Sequence, residues 1–280
     1  MRLWIPGAAG LLGSALCRAS PGALATGREV NIGNEAAVRA LLERHPDITH
    51  IVNCAAFSLV DAAETQREEA FAANALGPEN LATVAQEKKI PFIHISTDYV
   101  FAGKAHIPLK ESDPVGPLNY YGSTKLEGEQ RVQQVNPDAC ILRTSWIFGS
   151  GGKNFVAKLL HMFRTQEEVR LTDDQWGRPT YALDLAEVIL QMFGKAGVYH
   201  FANAGPTTKF AFGCAMRDLA EKQGLQLAVK RVIAVPGKLF PSPCKRPRYS
   251  AFDTSKIESL LKSPIRPWQE ALNHFLCNCS

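Results

Sequence analysis

The stretch WIPGAAGLLGSAL, residues 4–16, decides the fold. It places Gly7, Gly10 and Gly13 in the spacing G-x-x-G-x-x-G, between an apolar run that is typical of a strand and an apolar pattern that is typical of a helix. Such glycines permit a tight turn and a close approach of the backbone to a pyrophosphate, which the N-terminus of a helix attracts. A purely structural glycine-rich turn is the alternative. The position in the first strand–helix unit favours a dinucleotide site.

Short apolar runs alternate with helical patterns through the first half of the chain. Strands are predicted at RLWI, GALAT, THIVNCAA, PFIHIS and ACILRTSWIF, and DAAETQREEAFAANALGPENLATVAQEKK is predicted to be helical for most of its length. This alternation predicts an α/β fold with a doubly wound, Rossmann-like parallel sheet. We expect a dinucleotide-binding domain over residues 1–150, with a returning segment at about 175–200 that includes YALDLAEVILQMF, and mainly a smaller C-terminal substrate-binding lobe over residues 151–280.

The composition is that of an ordinary globular protein, with 46% hydrophobic and 21% charged residues. The net charge of +4 is mild and no block of Lys and Arg occurs, so we expect no nucleic-acid partner. No apolar run has membrane-spanning length, so no membrane partner is expected. Seven scattered cysteines, an odd number, favour a cytoplasmic location over a disulfide framework. No role is assigned to Cys277 and Cys279.

A possible proton donor lies in NYYGSTKLEGE, residues 119–129. Tyr121 precedes Lys125 by four residues, so the two share one face of a predicted helix, whereas Tyr120 has Thr124 at that spacing. An ammonium that close favours the phenolate and lowers the pKa of Tyr121. The alternative is an ordinary solvated helix face.

The segment HISTDYVFAGK ends a predicted strand, where a doubly wound fold presents its chemistry. Ser96 or Thr97 could there donate a hydrogen bond to a substrate carbonyl. The alternative is a Ser/Thr/Asp turn that merely ends the strand.

The end of the second predicted strand normally selects between NAD and NADP. In LATGREVNI no carboxylate occurs before Glu29, and Arg28 stands where a 2′-phosphate would be bound. Arg28 therefore favours NADPH. NADH remains the alternative cofactor, and a simple surface charge the alternative role of Arg28.

Taken together and in this order, the motifs resemble those of extended short-chain dehydrogenases/reductases. The segments ISTDYVF, NYYGSTKLEGE, LRTSWIFG, DDQWGRPT and RPRYSAFDTSKIE are similar to successive signatures of the dTDP-4-dehydrorhamnose reductase family. VNCAAFSLVDAAE and ANALGPENLA also match that family, and the similarity spans nearly the whole chain.

The resemblance implies that Thr97, Tyr121 and Lys125 are the catalytic set. They would reduce the C4 ketone of dTDP-4-dehydro-L-rhamnose to dTDP-L-rhamnose, the last step of dTDP-rhamnose synthesis, with a nicotinamide hydride. Tyr121 would protonate the nascent alkoxide, Lys125 would lower the pKa of Tyr121 and hold the nicotinamide ribose, and Thr97 would orient the carbonyl. Tyr120 would pack or line the cleft.

The resemblance also implies two sets of binding residues. Those for the cofactor are Gly7, Gly10, Leu11, Leu12, Gly13, Arg28, Asn31, Ile32, Ala55, Ala56, Phe57, Ser58, Asn74, Tyr121 and Lys125. Those for the dTDP-sugar substrate are Ser58, Thr97, Asp98, Tyr99, Tyr121, Trp146 and Arg246, the last for the diphosphate.

The chain departs from the family pattern at three positions: aspartate is common where Asn31 stands, Ala102 replaces a frequent aspartate, and Pro6 precedes the glycine turn. Some relatives bind a divalent metal such as Mg²⁺ through dimer-interface glutamates. We locate no such glutamates, so no metal site is assigned, and both a monomer and a homodimer remain open.

Two other functions compete with this reductase. A nucleotide-sugar epimerase or dehydratase would usually carry an acidic residue at the end of the second strand. A catalytically idle regulatory subunit, like the relative that associates with a methionine adenosyltransferase, would not need the catalytic set. The presence of Thr97, Tyr121 and Lys125 favours an enzyme.

Overall fold

A computed structural model of the chain describes residues 1–104, 106–151 and 154–278, so Cys279 lies outside the described residues. Six strands form its central sheet: β1 (Leu3–Pro6), β2 (Leu24–Thr26), β3 (His50–Asn53), β4 (Phe92–Thr97), β5 (Cys140–Thr144) and β10 (Gly197–His200). Their order is β10-β5-β4-β3-β1-β2, and all neighbours are parallel. The chain leaves β1 for β2 on one side and returns for β3 on the other.

Helices cover both faces of this sheet. They are α1 (Leu11–Ala19), α2 (Glu35–Arg44), α3 (Arg67–Phe71), α4 (Gly77–Glu87), α5 (Tyr120–Val135), α6 (Phe155–Thr165), α7 (Ala182–Gln191), α8 (Lys209–Lys222), α9 (Ser255–Glu258) and α10 (Trp268–Cys277). The buried apolar side chains of α1 and α7 form the core on one face, and those of α2, α4 and α5 form the core on the other. The predicted doubly wound α/β fold is therefore confirmed.

The remaining strands form three small ladders outside the central sheet. They are β6 (Ile147–Phe148), β7 (Glu168–Thr172), β8 (Trp176–Gly177), β9 (Thr180–Tyr181), β11 (Thr207–Thr208) and β12 (Arg231–Val235). The pairs are β6 with β9, β7 with β12, and β8 with β11. Their separate aromatic core includes Phe148 with Phe212 and Phe275, and it belongs to the smaller C-terminal lobe.

The chain does not stay in the smaller lobe after residue 150. Helix α7 packs against α1 in one core, and β10 pairs with β5 at the edge of the sheet. The domain boundaries given above stay predictions. Among the described residues, no helix is long and apolar enough to span a membrane.

The segment at residues 61–89 is helical for most of its length, as predicted, but the helix is interrupted. It consists of a 3₁₀ turn at Ala62–Glu64, helix α3, a π-helical turn at Ala72–Leu76, and helix α4. Pro78 has no N–H to donate to the carbonyl of Asn74, so the α-helical ladder lacks a bond at this point. The wider turn directs the buried Asn74 side chain toward Phe57 and Thr124.

The single strand predicted at ACILRTSWIF is wrong. Strand β5 ends at Thr144, and Trp146 adopts a left-handed backbone conformation with φ of 45° before β6 begins. A tryptophan in this region is strained, and such strain concentrates at functional sites.

Helix α5 lies very close to its neighbours. A Cβ atom on Gly128 would lie 2.1 Å from the carbonyl oxygen of Asn74, and one on Gly122 would lie 2.3 Å from that of Tyr99. The buried Glu129 carboxylate of α5 accepts two short hydrogen bonds from Arg143 of β5, at 2.6 and 2.9 Å. These contacts fix the height and the rotation of α5 over the sheet.

We expect Gly128→Ala to lower the free energy of unfolding by about 2 kcal/mol, because the added methyl group must push α5 away from the π-helical turn. Urea denaturation of the two proteins measures this difference. Gly116→Ala is the matched control, since its Cβ would meet only Ala102 at an ordinary 3.6 Å. Equal losses in both variants would contradict the close-packing explanation.

Candidate active site

The glycine turn lies where the strand order reverses, between β1 and its two neighbours. Gly7 has φ of +79°, and its N–H donates to the carbonyl of Thr26 at 2.9 Å. A Cβ on Gly7 would lie 2.5 Å from the backbone nitrogen of Ala55, and one on Gly13 would lie 2.3 Å from the oxygen of Gly7. Gly10 is exposed. Ligands of open α/β sheets bind at this point of strand reversal.

The N-terminus of α1 points its first amides into this turn. Gly10 is the N-cap residue, and no described side chain caps the helix. The amides of Leu11 and Leu12 belong to the first helical turn, which has no intrahelical acceptors and attracts anions. The side chain of Leu12 is buried in the core, so its contribution is its backbone. This turn fits the pyrophosphate of a dinucleotide.

Two charges of opposite sign follow β2. Arg28 is exposed, and the Glu29 carboxylate accepts a hydrogen bond from the Gly27 N–H at 2.6 Å, which lowers the pKa of Glu29. A carboxylate is therefore held next to Arg28, the residue expected to favour NADPH.

Asn31 and Ile32, the two residues expected to contact the adenine, expose different groups to a ligand. The exposed Asn31 accepts from the Gly33 N–H at 3.0 Å, and this side-chain turn shapes the loop. Ile32 is buried and packs against Gly77. Only the main chain of Ile32 is therefore available to a ligand.

The loop after β3 presents Ala55 to Ser58 beside the glycine turn, with Ala56 and Ser58 exposed. The fully buried Asn74 holds this loop from behind. Its amide accepts from the Phe57 N–H at 2.9 Å and donates to the Phe57 carbonyl at 3.1 Å and to the Thr124 hydroxyl at 3.1 Å. Asn74 therefore acts on a cofactor only by placing the loop and α5.

The three predicted catalytic side chains come together at the carboxyl end of the sheet. Thr97 is the last residue of β4, and Tyr121 lies in the first turn of α5, which Asn119 caps by accepting from the Gly122 N–H at 2.8 Å. The Thr97 hydroxyl also hydrogen-bonds Tyr121. The rings of Tyr99 and Tyr121 meet edge to face with centroids 5.6 Å apart.

The pKa of Tyr121 is raised to about 12, mainly by burial and further by Asp98, while the Thr97 hydrogen bond opposes the shift. This direction is contrary to the one expected from the spacing to Lys125. The Lys125 ammonium instead donates to the carbonyl of Ile95 at 2.7 Å, beneath the helix. Burial lowers the pKa of Lys125 to about 8, and Glu129 opposes this shift.

Tyr120 faces away from the catalytic set. Its N–H donates to the Glu64 carboxylate at 2.8 Å, and the Arg67 guanidinium lies 4.8 Å from its ring centroid. This placement agrees with a packing role rather than a chemical one.

Asp98 is buried next to Thr97, directly after the end of β4. Its carboxylate accepts from the Ser250 hydroxyl at 2.6 Å and from the Thr97 hydroxyl at 3.2 Å. Burial raises the pKa of Asp98 to about 6, although both hydrogen bonds lower it. Asp98 therefore changes charge just below neutral pH.

Trp146 and Arg246 both lie near Lys209, and Arg246 also lies within electrostatic range of Tyr99. The indole of Trp146 packs over Gly177, where a Cβ would lie 2.6 Å from the ring. Arg246 donates to Asp61 at 3.0 and 3.1 Å, and its buried Nε has no partner among the described residues. Asp61 ties this arginine to the loop beside the cofactor turn.

Lys209 is a cleft residue that the sequence argument missed. Its Nζ lies 5.7 Å from the ring centroid of Trp146 and 5.6 Å from that of Phe155. Burial lowers its pKa to about 8, Arg246 lowers it further, and Asp98 opposes both. The signal in the sequence is a lysine at the first position of a helix, where the helix dipole disfavours a cation.

No group of three or more His, Cys, Asp or Glu side chains suited to a metal ion occurs within residues 1–104, 106–151 and 154–278.

Comparisons with known proteins identify the family. Residues 1–280 match the model of the RmlD substrate binding domain. A dTDP-4-dehydrorhamnose reductase of Streptomyces griseus is 36% identical over 284 residues, covering 97% of this chain and 91% of its own. A dTDP-4-keto-6-deoxy-D-glucose reductase of Streptomyces niveus is 36% identical over 286 residues, with 97% and 95% covered.

A solved structure of dTDP-4-dehydrorhamnose reductase from Bacillus anthracis in complex with NADP superimposes with a TM-score of 0.90. It is 30% identical, and 99% of each chain is covered. The chain therefore belongs to the RmlD family of dTDP-4-dehydrorhamnose reductases.

Proposed function

We propose that the protein is an NADPH-dependent reductase that converts dTDP-4-dehydro-L-rhamnose to dTDP-L-rhamnose, the last step of dTDP-rhamnose synthesis. The observation that carries this proposal is the convergence of Thr97 and Tyr121 beside the glycine turn, above the buried Lys125. The named relatives and the NADP complex of the neighbouring structure support it.

The residues that would hold NADPH surround the strand reversal. The glycine turn and the N-terminus of α1 bind the pyrophosphate, and Arg28 binds the 2′-phosphate. Residues 55–58 flank the ribose and the nicotinamide. NADPH supplies the hydride that reduces C4 of the sugar.

The protein supplies the proton. The Thr97 hydroxyl binds the carbonyl oxygen, and Tyr121 gives its phenolic proton to that oxygen as negative charge develops there. With a pKa of about 12, Tyr121 is fully protonated at neutral pH and is ready to act as the acid. Lys125 holds the ribose.

The substrate's sugar lies between Asp98, Tyr99 and Trp146 in this proposal, and Ser58 contacts it from the cofactor side. Arg246 and Lys209 are cations on the same side of the cleft, and each lies within electrostatic range of the other. Asp61 pairs with one nitrogen of Arg246, but the buried Nε has no partner among the described residues, so Arg246 and Lys209 together suit a diphosphate.

The proposal includes a cytoplasmic enzyme that works as a monomer or a homodimer. Six cysteines within the described ranges have free thiols, which suits a reducing compartment. Size-exclusion chromatography with light scattering measures the oligomeric state directly.

One observation favours a second substrate. The Streptomyces niveus relative, whose name gives dTDP-4-keto-6-deoxy-D-glucose as its substrate, is as similar as the rhamnose-pathway relative. Both sugars carry a ketone at C4 and a deoxygenated C6, so the same catalytic set serves either. Parallel assays with both ketones rank them.

We expect Tyr121→Phe to lower kcat at least 100-fold, because the proton donor is lost, while NADPH still binds. Loss of NADPH absorbance with dTDP-4-dehydro-L-rhamnose made in situ measures turnover. Tyr120→Phe is the matched control and should keep normal activity. Wild-type protein that binds NADPH but turns over neither ketone would favour the regulatory-subunit alternative.

Activity should fall as the pH drops through about 6, because Asp98 then becomes protonated and loses the negative charge that attracts Lys209 and holds the Ser250 hydroxyl. The Ser250 hydrogen bond lowers the pKa of Asp98. We therefore expect Ser250→Ala to move this acid limb to higher pH in a kcat profile. The control is Ser259→Ala, which removes an exposed hydroxyl that donates to the Lys256 carbonyl. This variant should not move the acid limb.

We expect Lys209→Met to raise the KM for the dTDP-sugar about tenfold, a loss of about 1.4 kcal/mol of binding, with little change in kcat. The reason is that the lysine binds the substrate's anionic part in both the ground state and the transition state. Steady-state kinetics at saturating NADPH measures this change. Lys222→Met, at the exposed end of the same helix, is the control. An unchanged KM in the first variant would contradict this role of Lys209.

A further inference from the structure

A row of buried polar side chains lies directly beneath the proposed catalytic lysine. Asn53 of β3 and His94 of β4 are adjacent in the sheet, and both are fully buried. The Asn53 Nδ2 lies 3.2 Å from His94 Nδ1, and His94 Nε2 lies 3.4 Å from Lys125 Nζ. The reduction chemistry described above makes no use of Asn53 or His94.

The direction of the hydrogen bonds in this row is fixed at one end. The backbone N–H of Ala55 donates to Asn53 Oδ1 at 3.0 Å, so the amide group of Asn53 turns its NH₂ toward His94. An NH₂ group only donates, and His94 Nδ1 must accept. The ring is neutral, since burial and then Lys125 hold the pKa of His94 well below its ordinary value. A neutral ring that accepts at Nδ1 carries its proton on Nε2, a tautomer assigned here from the network.

That proton points at Lys125. A lysine ammonium has three donors and no acceptor, so the charged form would face the His94 N–H donor to donor. The neutral amine has a lone pair that accepts this N–H, and it still donates to the Ile95 carbonyl. The neutral form satisfies both contacts, whereas the ammonium satisfies one.

Other titratable and charged groups also lie near Lys125. On its own helix, Tyr121 lies one turn before it, and Glu129 lies one turn after it and is paired with Arg143. After β3, the Cys54 thiol stays protonated, because burial raises its pKa. Glu129 is thus the carboxylate that favours the ammonium, and its charge is shared with an arginine.

We propose that Asn53 and His94 are positioning residues that stabilise the neutral amine of Lys125 and thereby set the pH at which the lysine loses its charge. This inference rests on the proposed reductase function: once Tyr121 has given up its proton, a charged Lys125 one helical turn away would stabilise the phenolate. The pair acts through Lys125 and touches neither substrate nor cofactor.

The isosteric variant Asn53→Asp reverses the direction of the hydrogen bonds in this row. A carboxylate still accepts from the Ala55 N–H, but it also accepts from His94, which then carries its proton on Nδ1 and turns the Nε2 lone pair toward Lys125. The ammonium is then favoured. In the full-length protein, we expect the alkaline limb of the kcat profile to move up by at least one pH unit, or about 1.4 kcal/mol.

The control is Asn136→Asp, which places the same charge at another buried asparagine, at the far end of α5. That position lies about 16 Å along the helix from Lys125. We expect this variant to lose stability and to keep the wild-type alkaline limb. If the alkaline limb of the kcat profile lies at the same pH in the wild type and in Asn53→Asp, the proposal is overturned.

NMR gives a readout that does not depend on turnover. In protein labelled at histidine nitrogens, His94 should show the Nε2–H form in the wild type and the Nδ1–H form in Asn53→Asp. In protein labelled at lysine Cε, Lys125 should titrate at higher pH in the variant. A wild-type His94 with Nδ1–H would overturn the proposal even in active enzyme. A protein without turnover that shows both expected shifts would support this row while removing the reductase function.

Discussion

Helix α5 can present Tyr121 and Lys125 to the sheet only because two glycines let its backbone touch its neighbours. At Gly122 the helix rests on the carbonyl of Tyr99, and at Gly128 on that of Asn74. Any side chain at either point would lift the helix, and the Tyr121 hydroxyl would then leave Thr97. The cofactor loop depends on the same contact, since Asn74 holds Phe57 and Thr124 together.

Loss of solvent, more than any single charge, sets the protonation states in the cleft. Burial is the largest influence on Tyr121, Lys125 and Asp98, and it opposes the charged form of each. The site therefore holds its acid protonated and its lysine close to losing its charge. Lys125 and Asp98 therefore respond to charge that a ligand brings into the site near neutral pH, whereas Tyr121 stays protonated.

Local patterns in the sequence were sufficient to locate the first five strands of the central sheet, the glycine turn and the pairing of Tyr121 with Lys125 on one face, because each depends on residues close in the chain. The direction of the Tyr121 pKa was not accessible, since it depends on how deeply the helix is buried. The same holds for His94 and Lys209, whose neighbours come from distant segments. The π-helical turn was not accessible either, because a helical pattern predicts where a helix lies and does not show where its hydrogen-bond spacing changes.

Strand β10 forms one edge of the central sheet and covers β5, although it is synthesised long after the other five strands of that sheet. During synthesis, the outer edge of β5 and the apolar side of α1 stay uncovered until Gly197–His200 and Ala182–Gln191 leave the ribosome. An open strand edge is a template for pairing with other chains. The nascent protein is thus most exposed to aggregation and to chaperones in the interval when the smaller lobe is being translated.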